Sequence, residues 1–175
     1  DMEEGGLEPA DAVRYCQEIA FGGHADWRLP TIEELRTLVR GNLPTETDGE
    51  CPLRNDSVSS DMNDPACLPA VEYGGPGIGG CYWPPELTGN CKKLAPASQG
   101  HPLEYASSTR CPGPDVVGGY GTIMFENGAV CWNHINTFAD VRCVREAPTP
   151  AETCVRNGQC MPGETRRCIA KNARL

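Results

Sequence analysis

Four groups of side chains in this sequence have the types and spacings from which chemistry could be built. Asn55, Asp56, Asp61, Asn63 and Asp64 gather amide and carboxylate oxygens into one short stretch, the ligand type that a hard cation such as calcium prefers. Their spacing does not match an EF-hand loop, and Asp and Asn are also ordinary turn formers. Asp56, Asp61, Asn63 and Asp64 are therefore the candidate metal ligands; calcium is the one cofactor suggested, and none is required. Tyr73, Tyr82 and Trp83 stand among Gly74-Gly75, Gly79-Gly80 and Pro84-Pro85. Such rings could offer stacking faces to a sugar or peptide, or form the small core that a pinned loop needs. Ser107, Ser108 and Thr109 are hydroxyls without a base or acid at a recognisable spacing, so they are read as partners of nearby backbone. His24, beside Asp26 in a tight turn, is read as structural or exposed. Nothing in these groups supports catalysis.

Cysteine dominates the rest of the chemistry. Eleven occur in 175 residues with no CxxC pair, which favours disulfides over zinc and places the chain in an oxidising compartment, secreted or at the cell surface. Eleven is odd, so one thiol stays free or pairs outside the chain. Cys51, Cys67, Cys81 and Cys91 allow three connectivities. Sequential pairing, Cys51 with Cys67 and Cys81 with Cys91, is preferred because short loops close at the lowest entropic cost. The net charge of −9 argues against nucleic acid and against charge-driven capture of sulfated polysaccharide or anionic lipid. No stretch approaches the ~18 apolar residues needed to cross a membrane.

The elements that must position these groups are legible at both ends of the body. Residues 8–20 read as a helix, with Pro9 at a first helical position and Ala12, Val13, Cys16, Ile19 and Ala20 on one face. Thr31 and Glu34 form a capping box, and Ile32, Leu35, Leu38 and Val39 recur at helical spacing until Gly41. Trp27 and Leu29 anchor the chain before the cap. From 42 to 104 periodicity disappears, and a loop of that length needs its cysteine staples. Tyr105–Thr109, Tyr120–Phe125, Ala129–Ile135 and Phe138–Val144 read as strands, the middle two joined at Asn127-Gly128. A Pro-rich linker, 147–153, leads to a tail, 154–175, holding Cys154, Cys160 and Cys168 and five basic residues.

Asp26-Trp27-Arg28-Leu29-Pro30-Thr31 with Glu34-Leu35, Tyr105-Ala106-Ser107-Ser108-Thr109, Phe125-Glu126-Asn127-Gly128 and Val141-Arg142-Cys143-Val144-Arg145 appear in this order. The combination resembles the Lcl C-terminal domain family, bacterial extracellular domains with a fold similar to the C-type lectins and formylglycine-generating enzymes; the tail resembles the start of small Cys-rich repeats. The resemblance implies an α+β, C-type lectin-like fold: two helices, a twisted antiparallel sheet and a long disulfide-stapled insertion. It implies bridges Cys16–Cys143 and Cys111–Cys131, and ligand binding in the long loop region. Trp132-Asn133-His134 departs from the lectin Trp-Asn-Asp motif, and the core cysteines are explained as bridges rather than a copper pair. The expected organisation is a 1–146 domain with insertion 42–104, then linker and tail. The expected function is non-enzymatic recognition or adhesion, binding a glycan or surface protein through the insertion. The alternative is a structural subunit of an extracellular fibre or coat, a homo-oligomer joined by the tail.

Overall fold

A computed structural model describes residues 6–56, 64–70, 74–89, 91, 103–111, 119–133 and 138–146. The chain divides into two compact units, Asp1–Val144 and Arg145–Leu175. All helices and strands of the described residues lie in the first.

Helix α1 spans Pro9–Glu18 and α2 spans Ile32–Arg36. Three antiparallel strands follow, β1 (Tyr105–Arg110), β2 (Tyr120–Met124) and β3 (Ala129–Asn133), in the order β1-β2-β3. The capping box closes as the sequence predicts: Thr31 Oγ1 accepts from the Glu34 N–H at 3.3 Å, and Glu34 Oε2 accepts from the Thr31 N–H at 2.8 Å. Helix α2 is shorter than the expected span. Leu38 and Val39 donate to Leu35 and Arg36, three residues back, so the apolar periodicity continues through a tightened turn rather than an α-helix.

Strand alternation gives the sheet two covered faces. Tyr105, Ile123 and Val130 align across the three strands on one face, and Ala106, Thr122 and Cys131 on the other. The first face belongs to the larger core, with Ile32, Leu35 and Val39 from the second helix region and Trp83, Phe125 and Trp132. The second face packs Ala106 and Tyr120 with Ala12 and Cys16 of α1. Gly121 sits where a Cβ would approach Ile32 at 3.2 Å, so the missing side chain lets α2 lie close to β2.

The last expected strand, Phe138–Val144, is not a continuous ladder. Its residues form isolated bridges instead: Ala139 with Leu7, Asp140 with Tyr105, and Val144 with Arg28. Each is answered by a different segment, so no single neighbour supplies consecutive hydrogen bonds. The segment ties the chain start, β1 and the approach to α2 together.

Candidate functional site

The first loop of the insertion, residues 45–53, is organised on one buried cation. Arg36 follows Leu35 on the inner side of α2 and is 0% exposed. Its guanidinium donates only to main-chain carbonyls: Nε to Thr45 (2.9 Å), Nη1 to Leu53 (2.8 Å) and Cys51 (3.1 Å), and Nη2 to Glu46 (2.7 Å) and Gly49 (3.5 Å). A guanidinium carries five N–H donors in a rigid fork, and residues 45–53 wrap around that fork. Charge-assisted bonds to carbonyl dipoles offset the desolvation of the buried charge. Arg54 adds bonds to the Leu53 and Gly49 carbonyls, each at 3.0 Å.

A second hub joins this loop to the sheet. Asn42 Nδ2 donates to the carbonyls of Gly128 (3.0 Å) and Leu68 (3.3 Å), while Thr45 Oγ1 lies 2.6 Å from the Gly128 carbonyl. Gly128 adopts φ +76°, and a Cβ there would lie 2.8 Å from the Asn42 Cβ, so the hairpin turn and the hub both require glycine. Disulfides Cys51–Cys67 and Cys81–Cys91 close the insertion on itself. Cys16–Cys143 joins α1 to the closing segment. These three bridges are the pairings expected from entropy and from the resemblance.

The expected bridge between Cys111 and Cys131 does not form; both are free thiols. Cys111 hydrogen-bonds Gly119 beside β2, and Cys131 of β3 faces Thr122 across β2 from the other side. With β2 between them, the two are about 10 Å apart in the sheet direction alone, beyond the ~7 Å Cα separation a disulfide spans. Cys131 lies 3.2 Å from Thr122 Oγ1, and burial pushes its thiol up to about 11.

Tyr82 and Trp83 are not open stacking faces. Trp83 is 0% exposed and packs at 5.4 Å against Phe125 and 6.3 Å against Tyr105, with the Arg142 guanidinium 4.7 Å above its ring. Arg142 Nη2 also donates to the Thr88 carbonyl at 3.0 Å. Tyr82 is buried against the positions of Gly41 and Gly128. Their size and apolar character put them in the core of the insertion, the second of the two roles open to them. Tyr73 lies outside the described residues.

Of the candidate calcium ligands, Asp61 and Asn63 lie outside the described residues. Asp64 Oδ1 caps the turn Pro65–Cys67 by accepting from Ala66 at 2.8 Å, and Asp56 is exposed. Asn55 Oδ1 accepts from Thr109 Oγ1 at 3.0 Å. Among the described residues no group of three or more His, Cys, Asp and Glu side chains is placed to hold a metal. Ser107 Oγ donates to the Gly121 carbonyl at 2.7 Å, Ser108 Oγ to the Pro30 carbonyl at 3.2 Å, and Thr109 Oγ1 accepts from the Ile32 N–H at 2.9 Å. His24 closes a hairpin with Phe21, clasped by Trp27 Nε1 on the Phe21 and His24 carbonyls.

Among the described residues of the insertion, the large apolar side chains left exposed are aliphatic. Leu43 is 76% exposed, Ile78 61% and Leu68 48%. Their three segments converge on Gly41 and Asn42: Leu43 follows Asn42, Leu68 accepts from Asn42 Nδ2, and Pro76 comes within 3.2 Å of a Cβ at Gly41. The sequence held a signal for Arg36, a charge on the inner stripe of Ile32, Leu35 and Val39. It held none for the three aliphatics.

Residues 2–145 match the Lcl C-terminal domain. The chain belongs to that family. No curated protein and no solved structure matches it. Three disulfides in an Lcl C-terminal domain chain indicate an extracellular or oxidising environment. Among the described residues no helix is long and apolar enough to cross a membrane.

Proposed function

We propose that this Lcl C-terminal domain protein is a secreted or cell-surface, non-enzymatic recognition and adhesion domain of C-type lectin-like fold, and that the 42–104 insertion is its binding surface. One observation carries the reading. The insertion is fixed by a buried arginine and two disulfides, yet it leaves Leu43, Leu68 and Ile78 in water. A loop built only for its own stability would turn such side chains inward, whereas exposed apolar groups on a rigid frame suit a partner surface. Aliphatic rather than aromatic contacts favour a protein target over a glycan. The hydroxyls of Ser107, Ser108 and Thr109 serve the backbone, and the Cys131 thiol is held protonated, which supports a binding rather than a catalytic role.

The reading is tested by retention of the full chain on intact cells, extracellular-matrix proteins and a glycan array, beside the Leu43→Ser/Leu68→Ser variant. Protein binding that drops at least ~10-fold in the variant, with unchanged near-ultraviolet circular dichroism, is the expected result. Binding that survives both substitutions moves the binding surface elsewhere.

A further inference from the structure

We propose that the aliphatic face of the insertion docks the basic segment 154–175 of a second copy of this chain. This rests on the insertion being the recognition surface, and it names a partner for it.

The face carries two kinds of signal. Leu43, Leu68 and Ile78 supply exposed apolar area around the Gly41–Asn42 junction. Acidic residues lie on the segments that carry Leu43 and Leu68 and on the β2–β3 turn beside them. Asp48 and Glu50 are exposed on the loop that wraps Arg36, and Glu46 Oε1 lies 2.9 Å from the Gly41 N–H. Asp64 precedes Leu68 on its turn, and Glu126 is exposed beside Asn127, whose carbonyl accepts from Ala70 at 2.9 Å. Two basic groups of this region, Arg40 and Arg54, direct their guanidinium groups to main-chain carbonyls, Arg40 to Thr37 and Val39 and Arg54 to Leu53 and Gly49. Residues 42–104 hold nine acidic side chains against three basic ones. A partner must therefore bring positive charge together with aliphatic side chains.

Segment 154–175 has that composition. It holds Arg156, Arg166, Arg167, Lys171 and Arg174 against the single acid Glu164, and intersperses Val155, Met161, Ile169 and Leu175. Opposite charge steers the encounter and apolar contact retains it. Because the two surfaces differ, the contact is heterologous, and it adds copies head to tail until a ring closes or a filament grows. The frame around Arg36 is already ordered, so docking loses little conformational entropy on that side.

Sedimentation velocity on the full chain, its accessible thiols alkylated to exclude intermolecular disulfides, tests this. The expected result is a sedimentation coefficient that rises with concentration and falls as salt screens the charges. The insertion variant Leu43→Ser/Leu68→Ser and the tail variant Arg166→Glu/Arg167→Glu should each stay monomeric where the parent associates. Mixed together, each supplies the surface the other lacks, so the mixture should give dimers and nothing larger. If Leu43→Ser/Leu68→Ser loses its near-ultraviolet spectrum, Asp48→Lys/Glu50→Lys takes its place. A monomeric parent at all concentrations, association that survives the tail substitutions, or a mixture that stays monomeric each overturns the proposal. A monomeric parent that still binds a cell-surface protein through Leu43 and Leu68 overturns this partner alone and leaves the recognition reading intact.

Discussion

Arg36 exchanges bulk water for five main-chain carbonyls; its removal leaves the Thr45 carbonyl without its guanidinium donor and empties a buried site, while Arg54 still reaches the carbonyls of Cys51, Leu53 and Gly49. Arg36→Ala is expected to lower unfolding stability by about 3 kcal/mol or more, measured by urea denaturation. Arg36→Lys should recover only part of that, because an ammonium cannot span the fork. Glu34 is a different case. The Arg28 guanidinium grips its carboxylate through two bonds of 2.6 and 2.7 Å, and the Thr31 N–H assists, holding its pKa at about 2 against an ordinary 4.5 despite the opposing effect of burial. A depressed pKa stabilises the folded form above the unfolded value, so this contribution is present above pH 4.5 and disappears as pH falls toward 2. Because the pair is partly exposed, it is worth about 1 kcal/mol. Glu34→Gln should flatten this part of the stability profile between those limits, read by thermal melts at a series of pH values. At Cys131, desolvation and then the charge of Glu104 hold the proton on sulfur, with a pKa of about 11. Peptide mapping after iodoacetamide treatment at pH 8 should find Cys131 unmodified in the native chain and alkylated after unfolding.

Elements differ in how openly the sequence declares them. Helix α2 is legible because a capping box is a local device: Thr31 and Glu34 satisfy each other within one turn. The β2–β3 hairpin is legible for the same reason, through Asn127-Gly128 at its turn. The 42–104 insertion is not, since its shape depends on carbonyl groups, which every residue carries and no residue type announces. Trp83 illustrates the difficulty: glycines and prolines on both sides read as a surface loop, while Arg142 and Phe125, distant in sequence, cover its ring. The closing segment has strand-forming residues but three different partners, so it does not become a strand. The Cys111–Cys131 expectation fails because spacing along the chain does not reveal which strand comes between. The two insertion bridges close loops of 16 and 10 residues, whereas Cys16–Cys143 spans 127. On chain entropy, paired Cys→Ser replacement should cost about 3 kcal/mol for Cys51–Cys67 and nearer 5 for Cys16–Cys143. Denaturant midpoints of the two double variants measure the difference, and an inverted order would mean that loosened packing within the insertion outweighs loop entropy.

At the scale of the molecule, the question is whether the insertion is an attachment or part of the core. Trp83 from the insertion shares one apolar cluster with Leu35 of α2, with Val39 just after that helix, and with Ile123 and Trp132 of the sheet. Cys51, Cys67, Cys81 and Cys91 belong to the same cluster, so both insertion staples are buried within the mass they stabilise. Arg36 lies on α2 while its acceptors lie in the insertion, and the Gly128 carbonyl at the β2–β3 turn contacts Asn42 and Thr45. A break at any of these junctions exposes apolar surface on both sides of it, which penalises partial unfolding. The oxidised domain should therefore unfold in one cooperative transition. Near-ultraviolet circular dichroism, dominated by buried Trp83 and Trp132, and far-ultraviolet signals from helices and sheet should trace the same curve. Separate curves would mean that the insertion opens by itself, and a binding surface carried on it would then be assembled by its partner rather than presented ready-made.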